Sequence, residues 1–342
     1  MIEESFIVFF FTHLNPLRNI SHKTYLSDEI RILSSDQKEK RGQLMTLEQF
    51  VNKVENAVRA YFGSGLQITV QKIMKNNSVE MTGLIFMEKG SDIAATIYLD
   101  SYYEEYEKGM PLGEIVRQLI LAYEDHRPVE KLKLDFFRDY EQVRARLACR
   151  LINLERNCEL LEQTPHQVWL DLAVTPCCIL MGDELGCACI QIRYEHMRRW
   201  KIDEESLIGE AMANMRQILR PEFISMAEFL YDLARSTGPV QMPETEPEKK
   251  EMFILSNTQH FYGAAALLYP EVYELLAGEK KGFFILPSSV HEVILLADTG
   301  QESRSGLYRM VSEVNAGNVP QEEFLSNSVY YFDRKEKKIR IL

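Results

Sequence analysis

The chain has 342 residues and a mass of 39.8 kDa, with 46% apolar and 26% charged residues. This composition is ordinary for a globular protein, and it excludes disorder, collagen and a coiled-coil rod as descriptions of the whole chain. The formal net charge of −12 disfavours nucleic acid as a partner, because an acidic surface repels phosphate backbones. A chain of this length is expected to form two compact units.

The beginning of the chain predicts neither a membrane span nor a secretory signal. The apolar run at residues 6–11 (FIVFFF) is much shorter than the roughly 20 residues that cross a bilayer. Glu3 and Glu4 precede this run, and no small-residue cleavage site follows it. We therefore expect a cytoplasmic protein, in which the six cysteines are reduced thiols.

Residues 1–44 are interpreted as an extension, because they show no sustained helix or strand period. Order begins at Met45, where Thr46 and Gln49 have the spacing of a helix capping box. Two explanations stay open. The extension results from a misplaced start codon, with Met45 as the natural start, or it is genuine and its apolar run packs on the body as an edge strand.

The region 45–235 is predicted to form an α+β unit. A helix begins at Met45, an antiparallel meander of three strands follows, and a second helix begins at Pro111. The expected later elements are a strand and a short helix within 136–163, a hairpin over 168–192 and two helices that begin after Asp203 and at Pro221. The arginines at 138, 144, 146, 150 and 156 alternate with glutamates and predict a solvated, charge-balanced face.

A linker is predicted at residues 236–250, which are rich in Pro, Glu and Lys. The region 251–342 then reads β-α-β-β-α-β with a short final strand. This order predicts a ferredoxin-like, two-layer sandwich with its helices on one face of an antiparallel sheet. The predicted fold class of the whole chain is therefore α+β.

The cysteines do not predict a metal site. Cys177, Cys178, Cys187 and Cys189 lie close together in the sequence, but as CC and CxC pairs on two expected strands. Neighbouring residues on a strand point to opposite faces, so these four thiols cannot all converge on one ion without a bulge. We expect small buried thiols instead.

A serine, a histidine and a carboxylate occur together in LPSSVHE, residues 286–292. Such a group suggests a hydrolase in which His291 deprotonates Ser288 or Ser289. On a strand beginning at Val290, however, Ser289 and His291 would be separated by about 6.6 Å of rise, too far for direct proton transfer. These three residues are therefore only weak catalytic candidates, and the alternative is a turn with a hydrogen-bonded histidine.

Other catalytic and cofactor motifs give little support to an enzyme. Asp298-Thr299-Gly300 resembles the aspartic protease motif but occurs once, so a turn is favoured. The sequence contains no GxxxxGK[ST], GxGxxG or HExxH pattern, and no cofactor is predicted.

An acidic aromatic stretch, YYEEY at residues 102–106, lies between a predicted strand and a predicted helix. Tyr102, Tyr103 and Tyr106 are candidates for contact with a partner, because tyrosine offers a large rigid surface. The alternative is that they pack over the sheet edge.

Five strings together resemble an uncharacterised family of gut Gram-positive bacteria, the domain of unknown function 5688. They are IYLDSYYEEYEKG (97–109), LINLERNCELLEQTPHQVWLDLAV (151–174), FYGAAALLYP (261–270), FFILPSSVHEVILLADTG (283–300) and SNSVYYFDR (326–334). The resemblance spans Met45 to Leu342 and implies that members begin near the equivalent of Met45. It implies no activity, cofactor or catalytic residue.

The favoured interpretation is a cytoplasmic, metal-free protein that binds an unknown protein or small molecule rather than performing chemistry. It rests on the failure of each catalytic grouping to meet its geometric requirement. A hydrolase using Ser288 or Ser289 with His291 is the alternative. A third interpretation, a phage or mobile-element protein that counters host defence, rests only on the acidic character of the chain.

Overall fold

A computed structural model describes residues 7–10, 44–91, 93–126, 134–182, 186–229, 231, 252–276 and 281–342. The predicted linker at 236–250 lies outside these residues, so the domain boundary placed there stays a prediction. The described chain divides into two compact units. Residues 1–75, 80–136 and 181–188 form the first, and residues 76–79, 137–180 and 189–342 form the second.

The first unit combines a four-stranded sheet with helices. Its elements are β1 (Ile7–Phe10), α1 (Leu47–Phe62), β2 (Leu66–Met74), β3 (Glu80–Glu88), β4 (Ile93–Tyr98), α2 (Asp100–Glu107) and α3 (Leu112–His126). The strand order is β1-β4-β3-β2, in which β2, β3 and β4 form the predicted antiparallel meander. Strand β1 pairs in parallel with β4, so residues 7–10 of the extension are an edge strand of this sheet.

Helix α1 begins as its sequence predicts. Thr46 and Gln49 form both hydrogen bonds of the capping box, which satisfies backbone groups at the start of the helix. The apolar face of α1 then packs on the sheet and on α3. The buried core of this unit includes Phe50, Val54, Val58, Ile68, Leu84, Phe86, Leu99, Ile115 and Leu119.

The second unit contains two sheets. Its elements are α4 (Tyr140–Arg144), β5 (Leu147–Asn153), α5 (Cys158–Leu161), β6 (Gln167–Trp169), β7 (Leu172–Gly182), β8 (Gly186–Gln191), α6 (Tyr194–Trp200), α7 (Glu204–Ile218), β9 (Pro221–Ser225), β10 (Met252–Asn257), a 3-10 helix (Gly263–Leu268), α8 (Pro270–Leu276), β11 (Gly282–Leu286), β12 (Val293–Ala297), α9 (Arg304–Gly317), β13 (Tyr330–Asp333) and β14 (Lys338–Ile341). Strand β7 pairs with β5, β6 and β8 in one sheet. The end of β7 and the start of β8 fall within residues 181–188, which are counted with the first unit.

The other sheet has six strands in the order β14-β13-β11-β12-β10-β9, and all its pairings are antiparallel. Antiparallel sheets together with separate helices make the chain an α+β protein, as predicted. The element order β-α-β-β-α-β is also present, but the ferredoxin-like form is not confirmed. In that fold the fourth strand lies beside the first, whereas here β13 pairs with β11, and β9 occupies the free edge of β10.

The six-stranded sheet is covered on both faces, which a two-layer sandwich is not. Leu307 and Val311 of α9 pack with Phe284 and Tyr331 on one face. On the opposite face the ring of Tyr273, in α8, stacks on Phe332 with a centroid distance of 4.6 Å. Strand β11 is therefore buried along its whole length.

The helix predicted from Pro221 begins later than expected, because residues 221–225 form strand β9 and residues 226–229 are helical. Phe223 pairs with Leu255 and Ser225 with Phe253, so hydrogen bonds to β10 replace those of a helix. A proline is tolerated here because β9 is an edge strand of the sheet. Within the described ranges, no helix is both long enough and apolar enough to cross a membrane.

Candidate functional site: the Arg150 cluster

The most unusual side chain in the second unit is Arg150, in the middle of β5. The strand is buried along its length, and Arg150 is only 6% exposed. Its neighbour Cys149 faces α7, where the thiol contacts the backbone oxygen of Ile208 at 4.0 Å. Because side chains alternate across a strand, Arg150 points to the other face of the sheet. The predicted solvated face is therefore wrong at this position.

The guanidinium of Arg150 is held by two hydroxyl groups. Its Nε donates to Thr175 Oγ1 at 3.2 Å, and Thr175 is the residue opposite Arg150 on β7. One terminal nitrogen donates to the Tyr262 hydroxyl at 3.0 Å. The guanidinium carbon also lies 5.2 Å from the centre of the Tyr262 ring, within the range of a cation–π interaction. These contacts fix the guanidinium but supply no negative charge.

Tyr262 is positioned by a strained backbone. Its φ of +51° lies in the left-handed region, as does the φ of +49° at His260 in the same loop. A bulky side chain in this region costs on the order of 1 kcal/mol or more, and such strain is concentrated at functional sites. The Tyr262 ring stacks on the imidazole of His291, with ring planes 9° apart and centroids 5.7 Å apart.

The charge of Arg150 is not balanced by an acidic side chain of the described residues, since none of their carboxylates lies within 4.0 Å of it. Burial raises the pKa of the Tyr262 phenol, so this partner stays neutral at physiological pH. Arginine itself remains protonated in proteins. Buried charges are ordinarily paired, because desolvating an unpaired ion costs several kcal/mol. The cluster is thus a fixed, buried cation with neutral hydrogen-bond partners.

Two thiols complete the cluster. Cys177 follows Thr175 by two residues on β7 and so shares its face. Interaction with the Cys189 thiol on the paired strand β8, together with burial, raises the pKa of Cys177 well above its usual range. Cys177 is buried and Cys189 is half-buried. We call Arg150, Thr175, Cys177, Cys189 and Tyr262 the Arg150 cluster.

The predicted residues Ser288, Ser289 and His291 lie together but not as a strand. Strand β12 begins at Val293, so the expected strand from Val290 is wrong in its first residues and His291 lies in a bend. Ser289 Oγ accepts a hydrogen bond from the backbone N–H of His291 at 2.9 Å. The imidazole is buried, with Nδ1 accepting the backbone N–H of Tyr262 at 3.3 Å and Nε2 3.9 Å from Glu323.

The catalytic use of these residues stays a prediction that the geometry does not favour. A general base needs a ring nitrogen that can receive the serine proton. Here Nδ1 of His291 accepts a backbone N–H, and Nε2 faces a carboxylate. Ser288 is 9% exposed and Ser289 is 3% exposed, so neither hydroxyl is open to a substrate.

The predicted partner-binding tyrosines lie on helix α2 of the first unit rather than between elements. Tyr106 is buried, and the rings of Tyr103 and Tyr106 lie 5.3 Å and 5.5 Å from that of Phe50. The Tyr103 hydroxyl donates to the backbone oxygen of Met45 at 2.9 Å. Tyr102 packs against the same core and is half-buried. These contacts favour the packing alternative, and contact with a partner stays a prediction.

The Asp298-Thr299-Gly300 motif forms hydrogen bonds that hold it in place. Asp298 accepts hydrogen bonds from the Tyr331 hydroxyl at 2.8 Å and from the backbone of Gly300 at 2.9 Å, so Asp298-Thr299-Gly300 is a bend with a fixed carboxylate. Among the residues that the structure describes, no group of three or more histidine, cysteine, aspartate or glutamate side chains is arranged to hold a metal ion.

Comparison with known proteins places the chain in a family. The model of DUF5688, a family of unknown function, matches residues 47–334. The chain belongs to this family. No curated protein and no solved structure matches it.

The DUF5688 match contains every residue of the Arg150 cluster. Sequence reasoning missed this site because it grouped Arg150 with nearby exposed arginines. One signal was present: Arg150 interrupts an apolar strand, LACRLI at residues 147–152. An arginine at such a position is buried unless the strand lies at an edge, and burial is uncommon for this residue type.

Proposed function

We propose that this member of DUF5688 is a non-catalytic binding protein that holds a small organic anion at Arg150. The observation that carries the proposal is the buried guanidinium without an acidic partner among the described residues. A ligand carboxylate or phosphate would balance this charge and accept charge-assisted hydrogen bonds from it. The Tyr262 hydroxyl and the Thr175 hydroxyl would orient the ligand beside it.

The net charge and the cysteines of the chain support the proposed ligand class and compartment. A net charge of −12 favours a small ligand over nucleic acid, since a small anion needs one local cation rather than an extended basic surface. The six cysteines form no disulfide, which fits a reducing compartment, and we propose the cytoplasm. The hydrolase alternative requires an accessible serine and an available imidazole nitrogen, which the bend at 288–291 does not offer.

The test is a thermal-shift screen of the full chain with simple monocarboxylates, dicarboxylates and inorganic phosphate. A ligand present at 100 times its Kd stabilises the folded state by about 2.7 kcal/mol, which shifts the Tm by several degrees. The variant Arg150→Met removes the cation but keeps apolar volume, and a ligand that stabilises the wild type is expected to give no shift with it.

Arg156→Met is the matched control, because Arg156 lies in the same unit but stacks on Phe324 at 3.7 Å, outside the cluster. This variant is expected to keep the full ligand response. An equal response of Arg150→Met and wild type, or no response of the wild type to any anion, would contradict the proposal. Calorimetric titration of the best ligand then gives its Kd.

A further inference from the structure

Strand β14 is an edge of the six-stranded sheet, and its outer side pairs with no strand of the described residues. The backbone N–H of Leu342 donates to the oxygen of Val329 at 2.9 Å, so these two residues are a hydrogen-bonded pair that continues the β13–β14 register. Hydrogen-bonded and non-hydrogen-bonded pairs alternate along an antiparallel ladder. Ile339 and Ile341 therefore direct their backbone N–H and C=O groups away from β13, toward the open edge.

The side chains of β14 alternate between charged and apolar. Lys338 and Arg340 point to one face of the sheet, where the guanidinium of Arg340 lies 4.0 Å from Asp333. Ile339 and Ile341 point to the opposite face, and Ile341 is 42% exposed. The open edge thus combines backbone hydrogen-bonding groups with cations on one face and accessible apolar surface on the other.

The hairpin of β13 and β14 is basic although the chain as a whole is acidic. Residues 334–340, RKEKKIR, contain five cations and one carboxylate, against a net charge of −12 for the chain. Lys335, Lys337 and Lys338 are exposed, and no carboxylate in the described part of the chain lies within 4.0 Å of their ammonium groups. Cations along an edge strand oppose pairing with a second copy, because like charges would face each other. They attract a strand of opposite charge.

We propose that the open edge of β14 is a docking site for an extended acidic segment of a partner protein, which adds to the sheet as an antiparallel strand. Ile339 and Ile341 exchange backbone hydrogen bonds with this segment, and such bonds supply the affinity in strand addition. The segment places apolar residues opposite the two isoleucines and acidic residues opposite Lys338 and Arg340. The site shares no residue with the Arg150 cluster, so it is a second binding function beyond that of the small anion.

The experiment titrates a fluorescently labelled peptide of alternating glutamate and valine, about eight residues long so that it spans β14, with the full chain and follows anisotropy. The wild type is expected to bind. Lys338→Glu is expected to weaken binding on the order of 5-fold, because it converts a cross-strand attraction into a repulsion. Lys53→Glu is the matched control, since it makes the same charge change at an exposed position of the first unit and should keep the wild-type Kd.

Two methylated peptides test the strand pairing itself. The valines lie opposite the isoleucines, so N-methylation of the valines removes the N–H groups that face β14. N-methylation of the glutamates removes N–H groups that point away from it. The first peptide is expected to lose affinity by about 10-fold or more, and the second to stay within about 2-fold of the parent peptide.

A wild type that does not bind the glutamate–valine peptide overturns the proposal, as does equal binding of a lysine–valine peptide or an equal effect of the two methylations. Circular dichroism of Lys338→Glu shows whether a loss of binding reflects unfolding. Sedimentation of the wild type tests the other occupant, and a dimer that Lys338→Glu alters would assign the edge to a second copy and overturn the proposal. Arg150→Met is expected to bind the peptide like the wild type, so failure here is separate from failure of anion binding.

Discussion

Gly263 shows how tightly the loop next to the Arg150 cluster is packed. A Cβ at this position would collide with Ser256 Oγ and the backbone oxygen of His291 and would lie 2.8 Å from Ser256 Cα. The Ser256 hydroxyl also donates to the His291 oxygen at 2.8 Å, so these atoms cannot move independently. Only glycine allows this approach of the 3-10 helix to β10.

Gly263→Ala is therefore expected to lower the free energy of unfolding by about 1–3 kcal/mol, as overpacking does. Gly209→Ala is the matched control, because Gly209 lies within helix α7 and nothing would touch its Cβ within 4 Å. That change is expected to be neutral or to stabilise by up to about 1 kcal/mol. Urea unfolding measures both, and equal effects of the two substitutions would count against the packing described.

His196 links stability to pH. Burial lowers its pKa below the ordinary value of 6.5, more than Glu195 raises it. The unfolded state therefore binds a proton at higher pH than the folded state does. The contribution of His196 to the free energy of unfolding is expected to be fully present above pH 6.5. It is lost as the pH drops through 6.5 toward the lower pKa of the folded state.

His196→Gln should remove this part of the pH dependence while keeping the cap of α6, because His196 Nδ1 accepts the backbone N–H of Arg193 and glutamine can do the same. Urea unfolding of wild type and variant at pH 7.5 and 5.5 measures the difference. The expected result is a smaller loss of stability for the variant, and an equal loss in both would show that His196 does not contribute.

At the scale of elements, buried asparagines hold the turn at residues 76–79, which belongs to the second unit. Asn157 is fully buried, its side-chain oxygen accepts the backbone N–H of Asn77 at 2.8 Å, and its amide donates to Asn77 Oδ1 at 2.9 Å. The Asn77 amide in turn donates to the backbone oxygen of Phe324 at 2.7 Å. The turn is thus fixed by side chains rather than by a sheet ladder.

Asn157→Ala is expected to destabilise the second unit by about 2–4 kcal/mol, because it leaves buried groups of Asn77 without partners. Asn318→Ala, at an exposed position in the same unit, should change stability by less than about 0.5 kcal/mol. Both tryptophans, Trp169 and Trp200, belong to the second unit, so fluorescence reports its unfolding. Similar unfolding midpoints for the two variants would contradict the role of the asparagine network.

Elements with local signals were predictable from the sequence. The capping box of α1, the β2–β4 meander and the proline before α3 each depend on residues close in the chain. The six-stranded sheet was harder to predict, because its paired strands are distant in the sequence. Residues 221–225, for example, become strand β9 only by pairing with β10. One available signal was missed. The unbroken apolar runs GFFIL and VILLA of β11 and β12 are typical of strands buried on both faces.

The candidate site was less predictable than the fold. A sequence motif joins neighbours such as Ser289 and His291, whereas the Arg150 cluster is assembled from β5, β7, β8 and the loop before the 3-10 helix. No local spacing encodes this convergence. The alternation of side chains along a strand predicts opposite faces for Cys177 and Cys178, but it does not predict which side chains of other strands lie near them.

At the scale of the whole molecule, the net charge of −12 opposes folding, since compaction brings like charges together. Raising the salt concentration from 10 to 150 mM shortens the Debye length from about 30 to about 8 Å and screens this repulsion. Exposed ion pairs such as Arg59–Glu55 and Lys108–Glu105 lose strength under the same conditions, but each contributes little because it lies in water.

The net expectation is therefore a gain in unfolding free energy of about 1–3 kcal/mol between 10 and 150 mM sodium chloride. Urea unfolding at the two concentrations measures it, and sodium sulfate at equal ionic strength separates screening from specific chloride binding. A loss of stability with added salt would mean that the ion pairs outweigh the repulsion.

The interleaving of the two units along the chain has a consequence for biosynthesis. The first unit receives its last piece, residues 181–188, only after residues 137–180 of the second have been made. At translation rates of about 5–20 residues per second, this insertion takes roughly 2–9 s. During that interval the nascent chain carries a nearly complete first unit together with strands β5 and β7, which pair with each other while the rest of the second unit is still to be made. The first unit can therefore be completed only after part of the second has been made, and most of the second unit, residues 189–342, is translated after it.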